Sequence, residues 1–257
     1  MPSVQKKANL KTIVAHCDKT LRLDAIGDYD GAHNGLQVEN NGQVTRIAAA
    51  VDASLATVRL AAEAKADLLV VHHGLFWSPQ LPWTGPKREL IGELIENNLA
   101  VYSAHLPLDA HPRLGNNAGL CKALKFTKPK PFFVEHGAPI GLRVSTRLCR
   151  DILTSRLETI LGTPPTLLRG GPSVCKKIGI VTGGAGGSIA RAAAEGVDTF
   201  ITGEGPHWTG ALAEELGINV FYGGHYATET FGVKALAAHL SKQFRLPWEF
   251  LDHPTGL

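Results

Sequence analysis

Four consecutive apolar residues, Leu68-Leu69-Val70-Val71, follow Asp67 and stop at His72-His73-Gly74. An unbroken apolar run predicts a strand buried on both faces, as in the middle of a parallel sheet. Upstream, Ile47 to Val51 predicts another short strand, ending at Asp52. Ser54 suits a helix N-cap, and Leu55 to Lys65 reads as a helix with alanines on its packed side. Strand, helix and strand make a βαβ unit with a right-handed crossover. Nearer the start, residues 4–23 place Leu10, Ile13, Val14, Cys17 and Leu21 at the spacing of an amphipathic helix.

The pattern returns later in the chain. Ile178 to Val181 predicts a strand, Gly183-Gly184-Ala185-Gly186-Gly187-Ser188 a turn, Ile189 to Gly196 a helix, and Asp198 to Thr202 a strand. The spacing repeats: Ile47 to Asp67 is 67 − 47 = 20, and Ile178 to Asp198 is 198 − 178 = 20. Downstream, Ala100 to Ala104 leads to His105 and Asp109, while Ile218 to Tyr222 leads to His225 and Glu229. Each half thus carries a strand, a histidine and a carboxylate four residues on. These matches predict an α/β fold of two similar lobes related by duplication, each a mostly parallel or mixed sheet flanked by helices. The lobes are expected over residues 1–127 and 128–257, with Trp248 to Leu251 a last strand that returns to the first lobe. Residues 126–177 read as the join, with Lys128-Pro129-Lys130-Pro131 a break, Ile140 to Val144 a strand and Arg147 to Leu161 a helix.

Bulk properties narrow the class. A chain of 257 residues holds one large domain or two of ordinary size, and its formal charge of +3 is too small a bias to argue for nucleic acid. Cys17, Cys121, Cys149 and Cys175 lie far apart with no CxxC, which fits reduced thiols better than a disulfide framework or a thiolate zinc site. Met1 to Lys7 has no apolar core of a signal sequence, and no apolar run reaches the roughly 20 residues that cross a bilayer. The expectation is a cytoplasmic protein with no membrane partner.

The chemistry collects where strands end. A parallel sheet opens onto its crevice at the carboxyl ends of its strands, and the adjacent imidazoles of His72 and His73 are expected to point to opposite sides there, each toward its own ion. His225 and Glu229, at i and i+4, share one face of a helix start. His105-Leu106-Pro107-Leu108-Asp109 has the same spacing but reads as a loop because Pro107 lies inside it. Asp109 is there a carboxylate ligand, and His105 a ligand or a ligand's partner. The Gly183–Gly187 loop could cradle a phosphate or serve close packing, since it departs from G-x-G-x-x-G at Ile189.

His72, His73, Asp109, His225 and Glu229 form a nitrogen and oxygen donor set without thiolate, suited to zinc, manganese, iron, cobalt or nickel. Three imidazoles and two carboxylates exceed one open tetrahedral site and suit two divalent ions about 3.5–4 Å apart, which would lower the pKa of a trapped water. His105, Glu204 and His207 are the proton-transfer candidates, and His33, Asn34 and His111 candidate pocket residues.

Asn34-Gly35-Leu36-Gln37-Val38, His72-His73-Gly74, His105-Leu106-Pro107-Leu108-Asp109, Thr202-Gly203-Glu204 and Gly224-His225-Tyr226-Ala227-Thr228-Glu229 occur in the order of a known family. The chain resembles the Nif-three-like dinuclear-metal-centre hexameric proteins, also called GTP cyclohydrolase I type 2 homologues. The resemblance implies two α/β domains, a toroidal hexamer and two metal ions in a cleft, with the ligands carried over to the five residues above. Many members have proline after the paired histidines, where this chain has Gly74. Three functions follow as expectations. The first is a metal-dependent hydrolase acting on a nucleotide such as GTP or on a phosphorylated or cyclic metabolite. The second is a non-enzymatic metal-binding, delivery or ring-scaffold protein. The third, a nucleic-acid regulator, is disfavoured by charge.

Overall fold

A computed structural model describes residues 6–76 and 82–257. It divides into two compact units. The first takes the chain up to Leu108 together with Gly232–His253, and the second takes Asp109–Phe231 with Pro254–Leu257. The division therefore falls at Leu108/Asp109 rather than at 127/128, and the chain passes between units twice more near its end.

In the first unit a five-stranded sheet runs in the order Trp248–Phe250, Ile47–Asp52, Leu68–His73, Ala100–Ser103, Gly35–Val38. The first four strands are mutually parallel, and Gly35–Val38 is antiparallel at the edge. The Leu68–Val71 run is buried throughout, as two-sided cover requires. Helix Leu55–Glu63 starts at Ser54, whose hydroxyl accepts from Thr57 N while Thr57 Oγ1 accepts from Ser54 N, a reciprocal capping pair. Its Val58 and Ala61 pack with Leu90 and Leu94 of helix Pro86–Glu96 and with Leu69, Val71 and Val101 of the sheet. Helix Leu10–Leu21 buries Leu10, Ile13, Cys17 and Leu21 along one stripe. It begins later than the apolar spacing suggests, and residues 4 and 5 of that expectation lie outside the described residues.

The second unit carries a six-stranded sheet in the order Lys130–Glu135, Ala138–Cys149, Val174–Ile180, Thr199–Thr202, Asn219–Tyr222, Thr166–Arg169. Val174–Ile180, Thr199–Thr202 and Asn219–Tyr222 are parallel, and the other pairings are antiparallel. Residues 126–177 are thus no linker; they supply three of these strands and helix Arg150–Leu161. Pro131 does not break structure because its strand is the edge of the sheet, where one ladder donor can be missing. Arg147 is not helical: the strand runs past a bulge to pair Leu148 with Cys175 and Cys149 with Val174.

The internal match between halves extends to hydrogen bonds. Asp67 Oδ2 accepts from Thr45 N (2.6 Å), Thr45 Oγ1 (2.6 Å) and Arg46 N (3.1 Å). In the second unit Asp198 accepts from Lys176 N (3.0 Å) and Lys177 N (3.0 Å). Ile47 pairs with Leu68 in one sheet as Ile178 pairs with Thr199 in the other. Each aspartate therefore fastens the amino end of one parallel strand to the next and holds their register. The matching ends sooner than the histidine spacing suggests. Leu68 pairs with Ala100, and Thr199 with Asn219, so His105 lies opposite Gly224 in this register and His225 opposite Leu106.

Among the described residues, no helix is long and apolar enough to cross a membrane. The four cysteines are free. Burial pushes the Cys121 thiol up to about 12 and lifts Cys17 further, so both stay protonated.

Removing the staple has a defined cost. Asp67→Ala leaves two backbone amides and a hydroxyl without their charged acceptor, and should lower stability by about 1–3 kcal/mol. A lower urea midpoint with an unchanged slope is the expected readout. An unchanged midpoint would show that Asp67 does not hold the register.

Candidate metal site

The parallel strands of the first unit end in three histidines. His72 is fully buried, and the ring nitrogens of His72, His73 and His105 offer one donor each within 4.8 Å of one another. Ring centroids lie 4.8 Å apart for His72 and His73 and 4.9 Å for His72 and His105. The paired histidines therefore converge instead of pointing apart, because separate acceptors draw their rings. His72 Nδ1 lies 2.9 Å from the Ala104 carbonyl oxygen, which can only accept. His73 Nδ1 lies 2.8 Å from Asp52 Oδ1, and His105 Nδ1 2.8 Å from Asp28 Oδ1. Each acceptor favours the tautomer with its proton on Nδ1, the form whose Nε2 can ligate a cation. Imidazoles that ligate metals are oriented by acceptors in this way.

Two aspartates do the holding. Asp52 pairs with His73 across adjacent parallel strands, so sheet register alone places its carboxylate. Asp28 reaches the site from the loop that precedes Gly35. Its Oδ2 accepts from Asn34 Nδ2 (2.8 Å) and Leu106 N (3.1 Å), and Asn34 Oδ1 accepts from His105 N (2.7 Å). Burial works against the Asp28 charge, yet the His105 ring, Asn34 and the Tyr29 amide outweigh it and hold the carboxyl below the usual range. The same bonds explain why Leu106–Asp109 is a helical turn rather than the loop expected from Pro107. Proline sits in a first turn, where its missing N–H is not needed, and Asp28 satisfies the Leu106 amide.

The second unit gathers the remaining donors. Helix His225–Phe244 starts at His225, as the spacing predicts. His225 Nε2 lies 3.2 Å from Glu229 Oε2, and its Nδ1 lies 2.8 Å from Glu204 Oε1. Burial opposes a charged ring, but the carboxylates of Glu229 and Glu204 prevail and lift its pKa to about 9. A field that favours an imidazolium there also favours a cation. Glu229 is buried and packs against Gly183, where φ is 74° and a Cβ would overlap the Glu229 carboxylate. That close approach accounts for the glycine and supports the packing reading of the loop. Asp109, also buried, accepts from Asn116 Nδ2 at 2.9 Å, which fixes one carboxylate oxygen.

The other expected residues fare differently. Glu204, in a loop, orients His225. His207 is exposed in a turn, and His33 is exposed with its ring edge-on to Phe76 at 6.1 Å. His111 Nδ1 accepts from Arg113 N and Leu114 N and so closes a turn. Sequence reasoning missed Asp28 and Asp52. Asp52 was findable: it stands five residues after Ile47, as His73 stands five after Leu68. Asp28 had no such signal, because its loop is placed only by tertiary contacts.

The donor set suits a borderline divalent cation: imidazole nitrogens oriented by acceptors at Nδ1, carboxylates and no thiolate. These features define a class, an α/β protein whose strand ends collect imidazole and carboxylate side chains fit for such an ion. The chain belongs to the Duf34/NIF3 (NGG1p interacting factor 3) family, which matches residues 8–255. It is 45% identical over 237 residues to the GTP cyclohydrolase 1 type 2 homolog of Deinococcus radiodurans, covering 90% of this chain and 89% of that one. It is 39% identical over 254 residues to the homolog of the same name from Pyrococcus horikoshii, covering 95% and 98%. Among solved structures, TTHA1606 from Thermus thermophilus matches with a TM-score of 0.90 and 39% identity, covering 97% of this chain and 100% of that one. Reduced HcgD from Methanocaldococcus jannaschii matches with a TM-score of 0.84 and 27% identity, covering 96% and 99%.

Asp52→Asn keeps the shape beside His73 but removes the anionic acceptor, so metal affinity should fall about 10- to 100-fold. Competition against a chromophoric chelator reads this directly, and wild-type affinity would contradict the role given to Asp52. His207→Ala should leave metal affinity and melting temperature unchanged in the same assay.

Proposed function

We propose that the chain holds two divalent ions through His72, His73, Asp109, His225 and Glu229, and that it is a metal-dependent hydrolase of nucleotides or of phosphorylated or cyclic metabolites. The observation that carries the reading is the set of imidazoles whose Nδ1 atoms are engaged by acceptors, which orients Nε2 of His72 and His73 for ligation and sets His225 between the carboxylates of Glu204 and Glu229. The family relationship supports the donor set, and relatives carrying the name GTP cyclohydrolase 1 type 2 homolog support the substrate class. Bound as a pair, such ions supply Lewis acidity and lower the pKa of a nearby water to about 7.

The remaining roles fall to this chain's own atoms. His105 is the proton-transfer residue of this reading. Its Nδ1 is held by Asp28, so Nε2 takes a proton and Asp28 stabilises the imidazolium that results. Glu204 positions His225 instead of moving a proton itself. Asn34 and Asp28 together hold the His105 backbone and ring, which keeps the proton acceptor in place through a turnover. By the family resemblance, the working form is a homohexamer, which light scattering on the purified protein would check.

The experiment is a turnover assay of protein loaded with zinc, manganese, iron, cobalt or nickel against GTP, other nucleotides and phosphoesters. Metal-dependent turnover that falls at least a hundredfold in Asp109→Ala, and that falls in His105→Ala with metal still bound, is the expected result. Tight metal binding with no turnover across the panel would contradict the hydrolase and favour the metal-delivery reading.

A further inference from the structure

The second unit has a cluster of positive charge that the metal chemistry does not use. Lys130 and Arg143 lie directly opposite each other on adjacent antiparallel strands. Arg143 in turn pairs with Gly179, and Ser145 with Lys177, so Lys177 is the diagonal neighbour of Arg143. Residues opposite and diagonal in this way share one face of a sheet. Three cations from three consecutive strands therefore stand on one face, level with Lys177–Gly179 of strand Val174–Ile180. His225, Glu229 and Gly183 lie past the carboxyl ends of the parallel strands.

These side chains, with Lys128, line a cavity of about 450 Å³. Among the described residues that line it, the only carboxylate is that of Glu195, and it is already engaged. Its Oε2 accepts from Phe133 N at 3.2 Å and its Oε1 lies 3.8 Å from Arg191 Nε. Arg143 is held in place, its Nη1 donating to the Glu195 carbonyl at 3.3 Å. Among the described residues, Lys128, Lys130 and Lys177 have no ion-pair partner. Like charges opposed across a ladder destabilise the sheet unless something anionic comes between them. The volume fits a small molecule rather than a groove for a polymer.

We propose that this cavity binds a small anion carrying two or more linked phosphate groups, with Lys130, Arg143 and Lys177 as its contacts and Lys128 closing over it. One phosphate would lie between Lys130 and Arg143, and the next would be reached by Lys177. Ser145 supplies a hydroxyl beside Lys177, able to donate to a phosphate oxygen. The chemistry needed is that of a diphosphate or triphosphate moiety, either free or as part of a nucleotide.

Calorimetric titration of the full chain with inorganic pyrophosphate tests this, with orthophosphate and sulfate as comparators. Pyrophosphate should bind at least tenfold more tightly than either. Lys130→Ala with Lys177→Ala should weaken it at least tenfold, while Asp109→Ala, which disables the proposed metal centre, should leave the lysine-dependent binding intact. The lysine double variant should melt at or above the wild-type temperature, because it relieves repulsion; Lys130→Gln with Lys177→Gln replaces it should the alanine pair not fold. Equal, weak affinity for all three anions would overturn the proposal. Pyrophosphate binding that survives in the lysine variants but vanishes in Asp109→Ala would overturn it too, by placing the anion at the metal centre. Binding of single-stranded RNA through the same lysines without any affinity for pyrophosphate would overturn it in favour of a polymer.

Discussion

An imidazole has two nitrogens, and whichever one carries the proton is closed to a cation. The histidine clusters of both units depend on settling that choice before any ion arrives. At His72 the choice is made by a backbone carbonyl, at His73 and His105 by aspartates, and at His225 by a glutamate. All four engage Nδ1. At His72 and His73 this tautomer turns Nε2 toward an ion without reorientation, whereas at His225, lifted to about 9 between two carboxylates, an arriving cation must also displace a proton. The acceptors come from different elements, so the tautomers are a property of the fold and not of any short motif.

The sheet architecture makes those acceptors available. Parallel strands in register put Asp52 level with His73, and the next strand brings the Ala104 carbonyl to His72. Register is held at the opposite end by Asp67, whose single carboxylate oxygen takes three donors. A one-residue slip would turn every side chain to the other face and separate the pair. The second unit repeats the device with Asp198 and the backbone amides of Lys176 and Lys177. There the electrostatics are more acidic: two carboxylates flank one imidazole and raise its pKa despite burial. An anionic pocket that carries a desolvation penalty of this kind is stabilised by a cation.

Much of this is legible from residue order, and the limits have physical causes. The apolar runs at Leu68–Val71 and Ile178–Val181 announce buried strands, and the equal spacing to Asp67 and Asp198 announces matched βαβ units. The candidate donors stand out because histidines and carboxylates gathered at strand ends carry a desolvation penalty that burial alone does not repay. Local rules fail where tertiary contacts override them. Pro107 argues locally against a helix, but it sits in a first turn whose leading amide is capped from seventy-eight residues away. Pro131 argues locally for a break, yet an edge strand tolerates it. The divergence expected for His72 and His73 assumes an undisturbed pleat, and their acceptors draw the rings together. Asp28 is invisible as a site residue, since its sequence neighbours are turn formers and its partners lie far along the chain.

The central claim, that ring orientation is set in advance for ligation through Nε2, is tested most directly by anomalous scattering from crystals grown with zinc and measured on both sides of its absorption edge. The account predicts anomalous peaks about 2.0–2.1 Å from Nε2 of His72, His73 and His225, with each Nδ1 still on its acceptor. Peaks at Nδ1 with the acceptor bonds broken, or no peak near these rings, would contradict it.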